Sequence, residues 1–394
     1  MTIPGNAQLL STQNALLLVV DDAALNRKVV IDALTRHGYQ VISAQNGRQA
    51  LDLLQESPQV DLILLDLVMP EMDGFAFMEA RQKMPELAGI PVIVNSSLDD
   101  FGSIAKALTM GAYDYFTKPL SQDDLDIILP LKIRNAVTNK RLMDATQRQN
   151  EVMQRELEMA GRYQQFLLPK QASLAGAKVT YLFQPCSGVG GDYFDFFSLA
   201  DDRWGLVVAD VSGHGMASAM VASIVKALFP GYLERYLSPA KALSALNDNL
   251  LNLTPEDVFV TAFAALFDPA ESRLSWTLAG HPPPFFLPKT GEAVPLVMEN
   301  TFLGIFEAGP PLLELEDRHI TVQSQDRLAL YTDGLLEAPD PQGRQYGMKR
   351  LQAKLLANRF LNQEQTKQMI WKDLQSYVQG EFPDDVAFIL VDFS

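Results

Sequence analysis

From residue 13 to residue 129, short apolar runs alternate with stretches whose apolar positions recur every three or four residues. The runs predict strands at 16–20, 40–44, 62–65, 92–94 and 113–117, and the helical spacing predicts helices near 25–37, 48–55, 75–83, 100–110 and 123–129. Five strands with a helix after each imply an α/β, doubly wound, five-stranded parallel sheet, whose ligands sit beyond the strand C-termini. The pattern then changes. Pro130 is expected to kink or restart the helix that begins near residue 123, because it supplies no N–H and clashes with the preceding turn. Residues 131–168 contain no proline and one glycine, Gly161, and are rich in Glu, Gln, Arg, Met and Ala. Apolar residues recur with a loosely heptad-like spacing, weak in the polar middle at 146–150, at Ile133, Val137, Met143, Val152 or Met153, Leu157, Ala160 and Phe166 or Leu167. So thin a stripe needs a partner to bury it, which predicts a long coiled-coil linker and a parallel homodimer, the alternative being a helix packed back on its own domains.

After residue 170 the helical and strand patterns segregate. Strands are predicted at 179–184, 192–196, 204–211, 260–267, 273–278, 327–332 and 386–393, with helices at 216–236, 240–253, 348–357 and 363–378. Strands and helices in separate groups indicate an α+β sandwich. The expected division is a tail over 1–12, a first domain over 13–129, a helical linker over 130–169 and a second domain over 170–394.

Composition narrows the function classes. The chain has 394 residues and a formal net charge of −16, which argues against nucleic acid and anionic membrane as main partners. The single cysteine, Cys186, rules out an intramolecular disulfide and fits a reducing compartment. Residues 1–5 lack the basic start and apolar core of a signal peptide, and the apolar run 221–229 is short and broken by Lys226. A cytoplasmic location is expected.

The ends of the first five strands carry the candidate chemistry. The first ends in Asp21-Asp22, the third in Asp66, the fourth in Ser96, and the last leads to Lys118-Pro119, so three acids, a hydroxyl and a cation converge on one edge. With Met69-Pro70 and Asp73-Gly74 after Asp66, this set resembles the CheY-like receiver domain of two-component response regulators. The resemblance implies that Asp66 is the phosphoacceptor, taking a phosphoryl group from a histidine kinase or phosphotransfer protein. It implies that Asp21, Asp22, Asp66 and the Val68 carbonyl hold Mg²⁺ and that Lys118 pairs with the phosphoryl oxygens. Ser96 would close onto the phosphate, and Tyr115 would turn inward as the aromatic switch.

In the second domain the run 206–211 delivers Asp210 to a strand end, before Ser212-Gly213-His214-Gly215. Asp192 follows Gly190-Gly191, Asp333 precedes Gly334, and Asp384 precedes Asp385. Four carboxylates at strand ends, with no Cys or His cluster, disfavour zinc and favour hard divalent ions. So many acids would repel one another unless cations neutralise them. These motifs, with Ala279-Gly280-His281-Pro282-Pro283 and Tyr331-Thr332-Asp333-Gly334 followed by Glu337, are similar to the SpoIIE/RsbU branch of the metal-dependent (PPM) Ser/Thr protein phosphatases. The resemblance implies that Asp192, Asp210, the Val211 carbonyl, Asp333 and Asp384 hold two Mn²⁺ or Mg²⁺ ions. His214 reads as a turn residue, His281 as a loop former and Cys186 as a packing residue; Asp195 and Asp385 are left open. No organic cofactor is expected.

The combined expectation is a response regulator, of RssB-like arrangement, whose Asp66 phosphorylation controls a Ser/Thr phosphatase. By family analogy its substrate is a phosphorylated STAS-type anti-sigma-factor antagonist in a stress pathway. The alternative is a non-catalytic adaptor that delivers a sigma factor to a protease, which has no chemical need for four metal carboxylates.

Overall fold

The computed structural model describes residues 14–56, 59–97, 101–169, 173–186, 188–213, 215–307, 309 and 313–394. The expected tail over 1–12 and the turn histidine His214 lie outside them. The chain divides into two compact units, Met1–Val152 and Met153–Ser394.

In the first unit, β1 (Leu16–Val20), β2 (Gln40–Ala44), β3 (Leu62–Asp66), β4 (Val92–Ser97) and β5 (Asp114–Lys118) form one parallel sheet in the order β2-β1-β3-β4-β5. Leu62 to Leu65 are apolar at every position because both faces of β3 are covered. Leu18, Ile63, Leu65 and Phe77 pack on one face; Leu17, Leu62, Leu64 and Ile93 pack on the other. The strand order reverses between β1 and β3, so Asp21 and Asp66 emerge side by side at the crevice where such sheets hold ligands.

The helix that begins near residue 123 restarts beside Pro130, as expected, without breaking the chain. A single π-helical turn, Asp124–Ile128, runs straight into a helix over Leu129–Leu167, and the Leu129 N–H reaches back to the Asp124 carbonyl. The wide turn lies just ahead of the residue that has no N–H to give. Ile133 and Val137, assigned from sequence to a coiled-coil seam, are buried with Leu17, Val19 and Phe116 instead. Lys132–Asp114 (2.6 Å) and Arg141–Asp61 (3.2 Å) tie the same turns to the sheet.

The second unit is a four-layer sandwich. One sheet has the order β14 (Arg318–Thr321), β11 (Arg273–Ala279), β10 (Val260–Asp268), β9 (Trp204–Val211), β8 (Tyr193–Ser198). The other runs β13 (Val294–Pro295), β12 (Phe285–Leu287), β15 (Arg327–Tyr331), β16 (Val386–Phe393), β7 (Ala177–Gln184), β6 (Ser173–Leu174). Phe194, Trp204, Phe263, Trp276, Leu330 and Ile389 fill the space between the sheets, the aromatic ones removing roughly 150–250 Å² each from water. Helices Met216–Tyr236 and Pro239–Leu253 cover the first sheet through Val225, Phe229 and Leu246. Helices Met348–Ala357 and Gln363–Val378 cover the second through Leu351, Ile370 and Leu374. The apolar run read as 221–229 is thus longer: Met216–Tyr236 is long and apolar enough to cross a membrane by length and composition alone. Its apolar side is spent on the sheet.

Candidate functional site

At the C-terminal edge of the parallel sheet, Asp21 and Asp66 are buried and Asp22 is exposed. One oxygen of each lies within 4.8 Å of the others, a spacing a single divalent ion can bridge. Lys118 Nζ donates to Asp21 Oδ2 at 3.0 Å and to Asp66 Oδ2 at 2.5 Å. The Val68 N–H donates to Asp66 Oδ1 at 3.2 Å. Burial raises the Asp66 carboxyl above its ordinary range, although Lys118 and the Val68 amide oppose the rise. Burial lowers Lys118, but its bonds to Asp66 and Asp21 outweigh that and leave its pKa raised. Gly74 is needed beside this site, since a Cβ there would stand 2.6 Å from the Asp66 carbonyl. Ser96 is buried, and its Oγ meets no partner among the described residues. Tyr115 is half-buried, its carbonyl accepting from Lys132 Nζ at 3.0 Å.

At one end of the sandwich a second set of acids meets. Asp192 stands just before β8, Asp210 near the end of β9, Asp333 just after β15 and Asp384 just before β16. Asp192 is fully buried; burial first, then the charges of Asp210, Asp385 and Asp333, hold its carboxyl well above the usual range. Burial and then Asp333, Asp384 and Asp385 push Asp210 up to about 7. Asp333 is raised by burial, Asp384 and Glu337. Among the described residues none of these carboxylates has a lysine or arginine partner. An all-oxygen donor set without organic counter-charge fits hard divalent cations.

The geometry assigns the centre of the cluster to a residue that sequence left open. The Asp385 carboxylate accepts from the Cys186 N–H at 2.9 Å and the Asp192 N–H at 3.5 Å, while its own N–H donates to Asp384 Oδ1 at 2.8 Å. Cys186, Asp384 and Asp385 form the tight group, with ligand atoms within 4.8 Å, and the charges of Asp384 and Asp385 act on Asp210, that of Asp385 on Asp192 and that of Asp384 on Asp333. A Cβ on Gly190 would overlap the Asp385 carboxylate, which explains the glycine before Gly191-Asp192. Val211 is buried, and its N–H reaches the Gly191 carbonyl at 3.4 Å.

Two contributors were missed from sequence. Thr332, fully buried, donates to Asp192 Oδ2 at 2.6 Å and accepts from the Ala387 N–H at 3.0 Å. Gln164, on the last turns of the long helix, clasps Gly190 by both backbone groups, at 2.7 and 2.9 Å. The signal for Gln164 lay in Gly161, the only glycine of that helix, which stands against the Gly188 carbonyl. Asp195 lies outside the cluster, held by Tyr193 Oη and Lys226 Nζ at 2.8 Å each. His281 is buried, and burial lowers its pKa to about 3; its Nδ1 meets Thr261 Oγ1 at 2.9 Å, in register with Asp210.

Two family models match separate parts of the chain. The response regulator receiver domain matches residues 17–129, and Stage II sporulation protein E (SpoIIE) matches residues 200–394. The chain belongs to the response regulators, with a SpoIIE output domain. Its receiver is similar to the two-component response regulator ORR12 of Oryza sativa subsp. japonica, 40% identical over 113 residues that cover 29% of this chain and 93% of that one. The output domain of this response regulator, of the metal-dependent Ser/Thr phosphatase class, is similar to the phosphoserine phosphatase RsbP of Bacillus subtilis (strain 168). Identity there is 28% over 187 residues, 46% of this chain and 45% of RsbP, so the match spans less than half of that relative. The SiaA-PP2C domain of Pseudomonas aeruginosa shares the fold, with a TM-score of 0.56 at 18% identity over 62% of this chain and 98% of that one.

Proposed function

We propose that phosphorylation of Asp66 controls hydrolysis of phosphoserine or phosphothreonine on a protein substrate by the SpoIIE domain. The observation that carries this reading is the meeting of Asp192, Asp210, Asp333, Asp384 and Asp385 without a basic partner among the described residues. In the receiver, Asp66 is the nucleophile toward a phosphohistidine of a kinase or phosphotransfer protein, whose imidazole leaves. Asp21, Asp22, Asp66 and the Val68 carbonyl are the Mg²⁺ ligands of this reading. Lys118 neutralises the phosphoryl oxygens, Ser96 supplies its hydroxyl to them, and Tyr115 turns inward.

In the output domain Asp192, Asp210, the Val211 carbonyl, Asp333 and Asp384 hold two Mn²⁺ or Mg²⁺ ions. When bound, such ions lower the pKa of water and neutralise phosphoryl charge. Thr332 and the Asp385 hydrogen bonds orient the carboxylates, and Gln164 fixes the glycine loop ahead of Asp192. That contact gives the linker helix a direct hold on the site, supporting control through the helix and, by its exposed stripe, through a parallel homodimer.

The similarity to a phosphoserine phosphatase supports a phosphorylated STAS-type anti-sigma antagonist as substrate, in a partner-switching pathway. Retention of every candidate carboxylate makes the enzyme a better account than an adaptor for a sigma factor. Purified protein incubated with Mn²⁺ and a phosphorylated STAS protein tests the reading. Phosphate release is expected, changing about tenfold on adding beryllofluoride, and Asp66→Ala is expected to keep the basal rate but lose that response. No release from wild type, or an equal response in the mutant, would sink it.

A further inference from the structure

A cavity of about 490 Å³ opens at the other end of the sheet that carries Asp333 and Asp384. β16 connects the two places: it starts next to Asp385 and ends at Phe393 on the cavity wall. Eight strand residues at roughly 3.3 Å each place the cavity some 25 Å from the carboxylates.

The walls are cationic in a chain of net charge −16. Lys178, Lys289, Arg327 and Arg359 line the cavity with one acidic side chain, Asp392, and with Ser394. The Asp392 carboxylate is already taken, because Arg327 holds it through Nε at 2.5 Å and Nη2 at 2.9 Å. Arg327 is also bound to Thr366 Oγ1 and the Leu361 carbonyl, both at 3.0 Å, which fixes the wall between strand and helix. The other cations are unmatched. Lys178 and Lys289 are exposed and form no ion pair among the described residues. Arg359 Nε and Nη2 are shielded from solvent and meet no acceptor among the described residues. A guanidinium has donors only, so these two N–H groups leave hydrogen-bonding capacity unused beside the cavity. The planar fork of arginine suits phosphate oxygens.

The cavity also has an apolar side. Phe360, on the turn between helices Met348–Ala357 and Gln363–Val378, lines it while 90% exposed, presenting a ring to a planar group. The volume lies within the roughly 300–1,000 Å³ of sites for small organic ligands and is far larger than inorganic phosphate needs. We propose that this cavity binds an organic phosphate of nucleotide size, its phosphates on Arg359, Lys289 and Lys178 and its ring on Phe360. The inference stands apart from the phosphatase reading, since it uses none of the same residues.

Calorimetric titration of the full chain in chelator-treated buffer tests it, with ATP, adenosine and inorganic phosphate as probes. ATP is expected to bind in the micromolar range, with adenosine and phosphate each weaker by at least about tenfold. Arg359→Ala and Lys289→Ala are each expected to weaken ATP about tenfold. Phe360→Ala, at a side chain too exposed to matter for folding, is expected to weaken ATP by a similar factor while leaving phosphate unchanged. Asp210→Asn is expected to bind as wild type. No heat from ATP, undiminished binding in Phe360→Ala and Lys289→Ala, or loss of binding in Asp210→Asn would overturn the assignment.

Discussion

Asp210 shows what the cluster costs when no cation is present. Its carboxyl, near 3.9 when unfolded, is pushed up to about 7 by burial and then by Asp333, Asp384 and Asp385. An acid whose folded pKa is raised contributes stability that is full below the unfolded value and lost as pH rises through the folded one. Metal-stripped protein is therefore expected to melt lower at pH 7.5 than at pH 5.5, by on the order of 5 °C. Mn²⁺ should restore most of that at pH 7.5 and little at pH 5.5, and Asp210→Asn should flatten the profile. A melting temperature independent of both pH and Mn²⁺ would contradict the electrostatic account. Sequence made Asp192, Asp210, Asp333 and Asp384 visible because each sits at or beside the end of an apolar strand. It could not rank Asp385 or find Thr332, whose bonds to Asp192 join residues 193 and 140 positions apart and exist only once the two sheets stack.

At the scale of elements, long runs were legible and short edges were not. The strand Trp204–Val211 and the helices Met348–Ala357 and Gln363–Val378 fall where periodicity places them. The strands Phe285–Leu287, Val294–Pro295 and Arg318–Thr321 were missed, being too short for a period of two to show, and Pro295 reads as a breaker. The linker helix divides by role. Its early apolar residues serve the receiver core, whereas Val152, Met159 and Tyr163 remain 53%, 55% and 74% exposed. Val152 and Met159 stand one heptad apart, the spacing of a coiled-coil seam. Light scattering of the full chain is expected to give twice the monomer mass, with Val152→Glu/Met159→Glu shifting it to monomer. A wild-type monomer at micromolar concentration would remove the dimer from the account.

Across the whole molecule, two units with separate cores are joined by one continuous helix, whose last turns grip Gly190 through Gln164. The receiver carries a carboxylate trio of which Asp21 and Asp66 are paired with Lys118, and the output domain carries carboxylates without such a partner among the described residues. On the proposed reading both sites hold divalent ions, and the lysine marks the one that accepts a phosphoryl group. The most direct test of that reading is Mn²⁺-dependent phosphate release from a phosphoserine protein by wild type and by Asp210→Ala, with circular dichroism confirming that the variant is folded. The account predicts a loss of roughly 100-fold or more in the variant; wild-type turnover by folded Asp210→Ala protein would contradict it.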